Sequence, residues 1–284
     1  RLNFMSQDYH NKPELAELSL GKTVSYSDQY DPELLQAVPR KLNRDMINLS
    51  SILPFTGNDI WNGYELSWLN QKGMPQVAIM RCYVPFDSVN IVESKSFKLY
   101  LNSFNNTRFA SQAAVQTALI TDLSACAQGD VCVSIIAQQA FTQQQIQHTD
   151  AICIDDQDLE FTDFNIDTSI LTSDATQQVN EFIYSDLLKS NCLITNQPDW
   201  ASIFIKYRGP KIDHEQLLRY LISFRNHNEF HEQCVERIFC DLMAQCGCEY
   251  LTVLARYTRR GGLDINPFRS NFEAAYDDLR LIRQ

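Results

Sequence analysis

From Phe109 to Leu188 the sequence contains no lysine or arginine. That stretch holds twelve Asp and Glu residues and carries −12, against −11 for the whole 284-residue chain. Everything outside it sums to +1. No apolar run approaches the ~20 residues needed to span a bilayer, and no basic-then-apolar leader opens the chain. These absences predict a cytoplasmic protein that binds no membrane, and the net acidity argues against direct contact with nucleic acid. Several enzyme signatures are missing as well. Gly261-Gly262 is the one glycine pair, and it lacks the G-x-G-x-x-G strand-to-helix context of a dinucleotide fingerprint. There is no Walker-type phosphate loop, no G-x-S-x-G elbow, no H-E-x-x-H and no P-C-x-x-C of the zinc deaminases.

What is present is a globular composition, 44% hydrophobic and 21% charged, in a length that suits two domains. Nine cysteines, an odd number in a chain large enough to fold without staples, fit a reducing compartment. The spacings of Cys234, Cys240, Cys246 and Cys248 match no structural zinc pattern, so no metal is expected. Arg1 to Phe4 precede Met5 and read as an appended remnant.

Two segments about 120 residues apart repeat each other. Tyr100-Leu101-Asn102-Ser103-Phe104-Asn105-Asn106 and Tyr220-Leu221-Ile222-Ser223-Phe224-Arg225-Asn226 agree at five of seven positions. Each leads into an amphipathic helical stretch. Val115, Leu119 and Leu123 carry the first; Val235, Ile238, Phe239, Leu242 and Met243 carry the second. Asp122-Leu123 and Asp241-Leu242 fall at matching offsets. Strand-like runs flank both copies: Val77 to Val84 ending at Pro85, Ile203 to Arg208 ending at Pro210, Val131 to Ala137, and Tyr250 to Arg256. The reading is a duplicated α+β module of strand, two helices, strand. Residues 155–160, Asp-Asp-Gln-Asp-Leu-Glu, read as an exposed acidic loop outside the chemistry.

Three groups of residues could carry chemistry. Asn191 to Asp199 is polar, holds Cys192 and reads as one loop. A loop thiol can act as a nucleophile with Asp199 as a nearby acid; a buried structural cysteine with a turn aspartate is the other reading. His227-Asn228-Glu229-Phe230-His231-Glu232 joins two helices, and an imidazole beside a carboxylate there suits acid–base work or recognition of an amide edge. A solvated charge cluster is the alternative. Lys95 with Lys98, and Arg256 with Arg259 and Arg260, form two basic clusters that could hold a phosphorylated ligand or be ordinary surface charge.

Glu93-Ser94-Lys95-Ser96-Phe97-Lys98-Leu99-Tyr100 resembles the E-S-K-S-x-K-x-Y hallmark of the NADPH-dependent 7-cyano-7-deazaguanine reductases, the nitrile reductases of queuosine biosynthesis. Ser190 to Trp200, Asn228 to Glu232, and Tyr257 to Pro267 are similar to that family's other motifs, in the same order, and the resemblance extends from Leu20 onward. It implies tandem tunnelling-fold modules related to GTP cyclohydrolase I, each an antiparallel four-stranded sheet with two inserted helices. The expected boundaries are 20–140 for the first module, 141–190 for an acidic connection with the first strand region, and 191–284 for the second module. It implies NADPH as cofactor, a small 7-deazaguanine substrate and a homodimer. By the same resemblance Cys192, Asp199 and His231 are catalytic, and Val92, Glu93, Ser94, His231 and Glu232 contact the base. Ser94, Lys95, Arg260 and Gly261 then hold NADPH. A zinc-dependent hydrolase of the same fold and a non-catalytic purine-binding module are the competing classes.

Overall fold

The computed structural model describes residues 26–49, 52–193, 195–276 and 280–284. The expected module start at residue 20 and the remnant at 1–4 lie outside the described residues. Those described fall into two units. One comprises residues 26–48, Asp59–Gln145 and Arg259–Asp264; the other comprises Leu49–Asn58, Ile146–Thr258 and Ile265–Gln284.

The first unit contains β1 (Ala37–Pro39), α1 (Arg40–Met46), most of β2 (Thr56–Leu69), β3 (Pro75–Pro85), β4 (Asn90–Val92), α2 (Ser94–Ser103), α3 (Gln112–Ala127) and β5 (Cys132–Ala137). Its strands run in the order β5-β3-β2, and β1 and β4 pair separately with Val38 opposite Ile91. Along β3 the residues Ala78, Met80, Cys82 and Val84 are buried and their neighbours are not, the period-two pattern of a half-buried strand. Val115, Leu119 and Leu123 form the buried stripe of α3, as their spacing predicts.

The second unit holds β6 (Ile152–Cys153), β7 (Ser173–Asn191), β8 (Pro198–Ile212), α4 (His214–Ser223), α5 (His231–Cys246), β9 (Tyr250–Tyr257) and most of β10 (Leu263–Ser270). Strands β10-β9-β8-β7 are antiparallel, while β6 adds to β7 in parallel. Val235, Ile238, Phe239 and Leu242 of α5 are buried, and Met243 is half-buried. The acidic stretch 155–160 forms neither helix nor strand, and Asp156, Asp158 and Glu160 are exposed.

The repeat is visible in side-chain detail within each unit. Tyr100 Oη donates to Asp122 Oδ2 at 2.6 Å, and Tyr220 Oη donates to Asp241 Oδ2 at 2.5 Å. Ser103 and Ser223 each return a hydroxyl to the tyrosine carbonyl at 2.6 Å. Phe104 meets Tyr100 edge-on at 5.1 Å, as Phe224 meets Tyr220 at 5.3 Å. Even the helix starts match. The Glu93 carboxylate caps α2 through Lys95 N and Ser96 N, and that of Asp213 caps α4 through Glu215 N and Gln216 N.

One of the two prolines ends its strand as the sequence reading has it, and the other does not. Pro85 is the last residue of β3, and Pro210 lies inside β8 opposite Gln178. The pairing irregularity between Asp174 and Gln178, next to Gly209 at φ +155°, accommodates a residue with no N–H to give. Among the described residues no helix is long and apolar enough to cross a membrane.

Candidate active site

Strands β7 and β8 pair as a hairpin as far as Ser190 opposite Asp199 and Asn191 opposite Pro198. The stretch 191–199 is therefore not one loop. Asn191 ends a strand, Asp199 lies within the next, and the loop proper is 192–197. Long-range register decides this, because the β7–β8 pairing continues past polar residues that local pattern assigns to a turn. Cys192 N–H donates to the Gln197 carbonyl at 2.8 Å, and Asn196 N–H donates to the Cys192 carbonyl at 3.1 Å, which closes the loop. Asn196 sits at φ +54°, a left-handed conformation that asparagine tolerates.

Cys192 is half-buried at the start of this loop. Cys82, Cys234, Cys246 and Cys248 are buried. Burial pushes Cys246 up to about 11 and Cys248 up to about 12, far from thiolate at neutral pH. Asp199 is 2% exposed. Nε2 of His231 lies 3.7 Å from its Oδ1. His231 is the first residue of α5 and Glu232 sits buried in the first turn. Strand β9 delivers Tyr257, whose ring stands edge-on to the His231 imidazole at 4.1 Å. The buried Tyr257 hydroxyl lies near Cys234 and Ser190 and closes no hydrogen bond to either. Cys192, Asp199, His231 and Glu232 thus share the second unit. Tyr257 is a neighbour that sequence reasoning left without a role, although it opens one of the quoted motifs.

Glu229 is buried and accepts a paired contact from Arg237, with Nη2 at 2.5 Å and Nε at 2.9 Å from Oε1. Nε2 of His227 is 3.3 Å away, without hydrogen-bond alignment. Burial alone would push the Glu229 carboxyl up. The His227 contact and the Arg237 guanidinium outweigh it and hold the group below the ordinary carboxylate value. This pair anchors the segment leading into His231.

The first unit gathers a different set. The two-stranded β1–β4 sheet ends at Val92, which is buried, and Glu93 follows with no exposure. Both Glu93 oxygens already accept helix N–H groups, from Lys95 at 2.8 Å and Ser96 at 2.7 Å. Burial raises this carboxyl, and the two N–H groups with the charges of Lys98 and Lys95 oppose the rise. Arg260 N–H donates to the Leu263 carbonyl at 2.9 Å across a tight turn. Its central residues Gly261 and Gly262 sit at φ +57° and +78°, the left-handed pair that a type I′ hairpin turn demands. A Cβ on Gly261 would stand 3.1 Å from the Lys98 Cδ. The turn and the Lys98 side chain are thus in contact. Lys95 and Lys98 lie on α2, and the Arg259 guanidinium stands over the Tyr64 ring at 4.4 Å. Arg256 is not a surface cation. It is 2% exposed on β9, and its Nε donates to Gln284 Oε1 at 3.0 Å. Strand β9 is buried on both faces, so a residue that reads as surface charge in the sequence lies in the interior.

Among the described residues no three His, Cys, Asp or Glu gather as a metal site. A family profile described as "Nitrile reductase, 7-cyano-7-deazaguanine-reductase N-term" matches residues 26–135. A second, described as "QueF-like protein", matches residues 198–276. The hallmark at 93–100 falls in the first match and the Asp199, His231 and Gly261 segments fall in the second, so the chain belongs to the 7-cyano-7-deazaguanine nitrile reductase family.

Proposed function

We propose that this protein reduces the nitrile of 7-cyano-7-deazaguanine to the aminomethyl group of 7-aminomethyl-7-deazaguanine, in queuosine biosynthesis, through a covalent adduct on Cys192. The observation that carries the reading is the hairpin loop. It presents a half-buried thiol beside a strand whose buried Asp199 lies 3.7 Å from His231. A nitrile carbon is a poor acceptor until activated, and a thiolate activates it covalently.

In this mechanism the Cys192 Sγ bonds to the nitrile carbon, one C–N π bond breaks, and the nitrogen takes a proton from Asp199 to give a thioimide. NADPH supplies the reducing equivalents, two molecules for the four electrons. After the first reduction the carbon is tetrahedral; its C–S bond breaks, Cys192 leaves as thiolate, and an imine remains. His231 moves a proton in the second half-reaction, which ends at the amine. Glu232 accepts two hydrogen bonds from the ring N–H and exocyclic amine of the base, with His231 beside it. Val92, Glu93 and Ser94 of a first unit complete the contacts to the base. Ser94, Lys95, Arg260 and Gly261 hold NADPH, the cations at its phosphates and Gly261 at the close backbone approach.

The architecture proposed with this is a pair of tandem tunnelling-fold modules, the chain working as a homodimer in the cytoplasm. The test is NADPH consumption by the reduced protein on addition of 7-cyano-7-deazaguanine. Consumption matched by two NADPH per amine formed is expected, and no consumption by correctly folded protein overturns the reading.

A further inference from the structure

Residues 225–229 run beside the end of β7 as a short additional edge. Lys189 Nζ donates to the Arg225 carbonyl at 2.6 Å and to Asn191 Oδ1 at 2.7 Å. Asn191 N–H donates to the His227 carbonyl at 2.8 Å, and Glu229 N–H donates back to the Asn191 carbonyl at 3.1 Å. These two bonds make a parallel bridge between Asn191 and Asn228. The Asn228 side chain spans what the bridge brings together. Its Oδ1 accepts from Asn191 Nδ2 at 3.3 Å, and its Nδ2 donates to the Cys192 carbonyl at 3.5 Å and to Asn196 Oδ1. The amide orientation follows from chemistry. The Cys192 carbonyl can only accept, so the nitrogen must face it.

We propose that Asn228 is a positioning residue for Cys192. Its amide ties the loop that carries the thiol to the segment that leads, three residues on, into His231. The segment itself is immobilised by Glu229 on Arg237. The thiol and the imidazole are therefore set by one polar clamp and not by two independent loops. The reaction this serves is the one proposed above, and the clamp is the further step. Nucleophiles lose about 10²-fold in rate for misplacement on the order of 1 Å.

Two variants of the full chain separate the clamp from general folding. Asn228→Ala removes all three bonds. Asn228→Asp keeps the acceptor for Asn191 and loses both donors. Two readouts are followed: thioimide absorbance after mixing with saturating 7-cyano-7-deazaguanine without NADPH, and hydrogen exchange at the Cys192 and Asn196 amides without any ligand. Both variants should form the adduct about 10- to 100-fold more slowly at saturation, with the base still bound and the urea midpoint of the second unit retained. Exchange at both amides should rise at least about tenfold. Wild-type adduct rates in both variants, or unchanged exchange, overturn the proposal. If neither Asn228 variant folds, Asn196→Gly removes the loop-side partner while tolerating the positive φ, and the same two changes are expected. Should the unsubstituted protein form no adduct and consume no NADPH, the nitrile-reductase reading fails by itself. The exchange measurement then still decides whether the clamp holds the loop.

Discussion

Nε2 of His231 stands 3.7 Å from Oδ1 of Asp199, with the two side chains 15% and 1% exposed. That separation is beyond a hydrogen bond; in the mechanism proposed above it should shorten when substrate binds, since catalytic hydrogen bonds are often long in the free enzyme. The Tyr257 ring, edge-on to the imidazole at 4.1 Å, holds the ring's attitude from the β9 side. The two groups sit on different elements, β8 and α5, so their proximity comes from packing.

Asp199→Asn and His231→Gln should each lower kcat by about 10²–10⁴-fold, the range for losing one positioned proton donor or acceptor. Asp199→Asn should slow the first half-reaction, read as thioimide formation. His231→Gln should act mainly on the second, read as NADPH consumption after the adduct has formed. Unaltered kinetics in either variant would remove that residue from its role.

Cys192→Ala should abolish both thioimide absorbance and NADPH consumption. Cys132 and Cys153 are exposed, where Cys192 is half-buried, so Cys132→Ser and Cys153→Ser serve as controls and should retain both. Full turnover by Cys192→Ala would sink the covalent mechanism.

Tyr220→Phe removes a hydroxyl donor to the partly buried Asp241, whereas Tyr100→Phe leaves Asp122 its second hydroxyl donor, Tyr30 at 2.7 Å. Tyr220→Phe should lower stability by about 1–3 kcal/mol, because Asp241 keeps its burial and loses that donor, and Tyr100→Phe should cost less, because Asp122 retains the Tyr30 hydroxyl. Urea denaturation of the two single variants measures this, and equal small losses below ~0.5 kcal/mol would show the pairs to be incidental.

Glu229 gives the stability an acid limb. Its carboxyl is held below the unfolded value by His227 and Arg237 against the upward push of burial. Folding therefore gains from this group above the unfolded carboxylate pKa, about 4.3, and loses that gain as pH falls through the lower folded value. Thermal midpoints followed from pH 7 downward should fall less steeply over that window in Glu229→Gln than in the unsubstituted chain. Arg237→Met leaves the carboxylate buried without its main partner and should cost about 3–5 kcal/mol at neutral pH.

Gly262→Ala should destabilise the Arg260–Leu263 turn by roughly 1–2 kcal/mol through its positive φ, with a further loss from contact, since a Cβ there would meet the Glu65 Cδ at 2.5 Å. Adding Glu65→Ala should recover the contact part and leave the backbone part. Full recovery in the double variant would mean that backbone strain contributes nothing.

Much of this was readable from residue order. The helices α3 and α5 follow from Val115, Leu119 and Leu123 and from Val235, Ile238, Phe239 and Leu242, because helical periodicity is a local property that burial then uses. The duplication was legible in Tyr100 and Tyr220, since the same hydroxyl, serine and phenylalanine contacts require the same residues at the same spacing. Less legible were features set by partners far along the chain. Asp199 reads as a loop residue and lies in a strand, because the β7–β8 register runs on to Asn191 and Pro198. Arg256 reads as part of a basic patch and is buried against Gln284, 28 residues later.

The sequence by itself determined the α+β duplication, the acidic stretch without a cation, and the motifs that place the chain in its family, since each depends on composition, period or residue identity over a short span. Only the tertiary structure decided that Asp199 meets His231, that Asn228 reaches Cys192 and Asn196, and that Lys98 lies along Gly261. Those relations are side-chain contacts between elements distant in sequence, and they are set by strand register and helix packing, which no local pattern encodes.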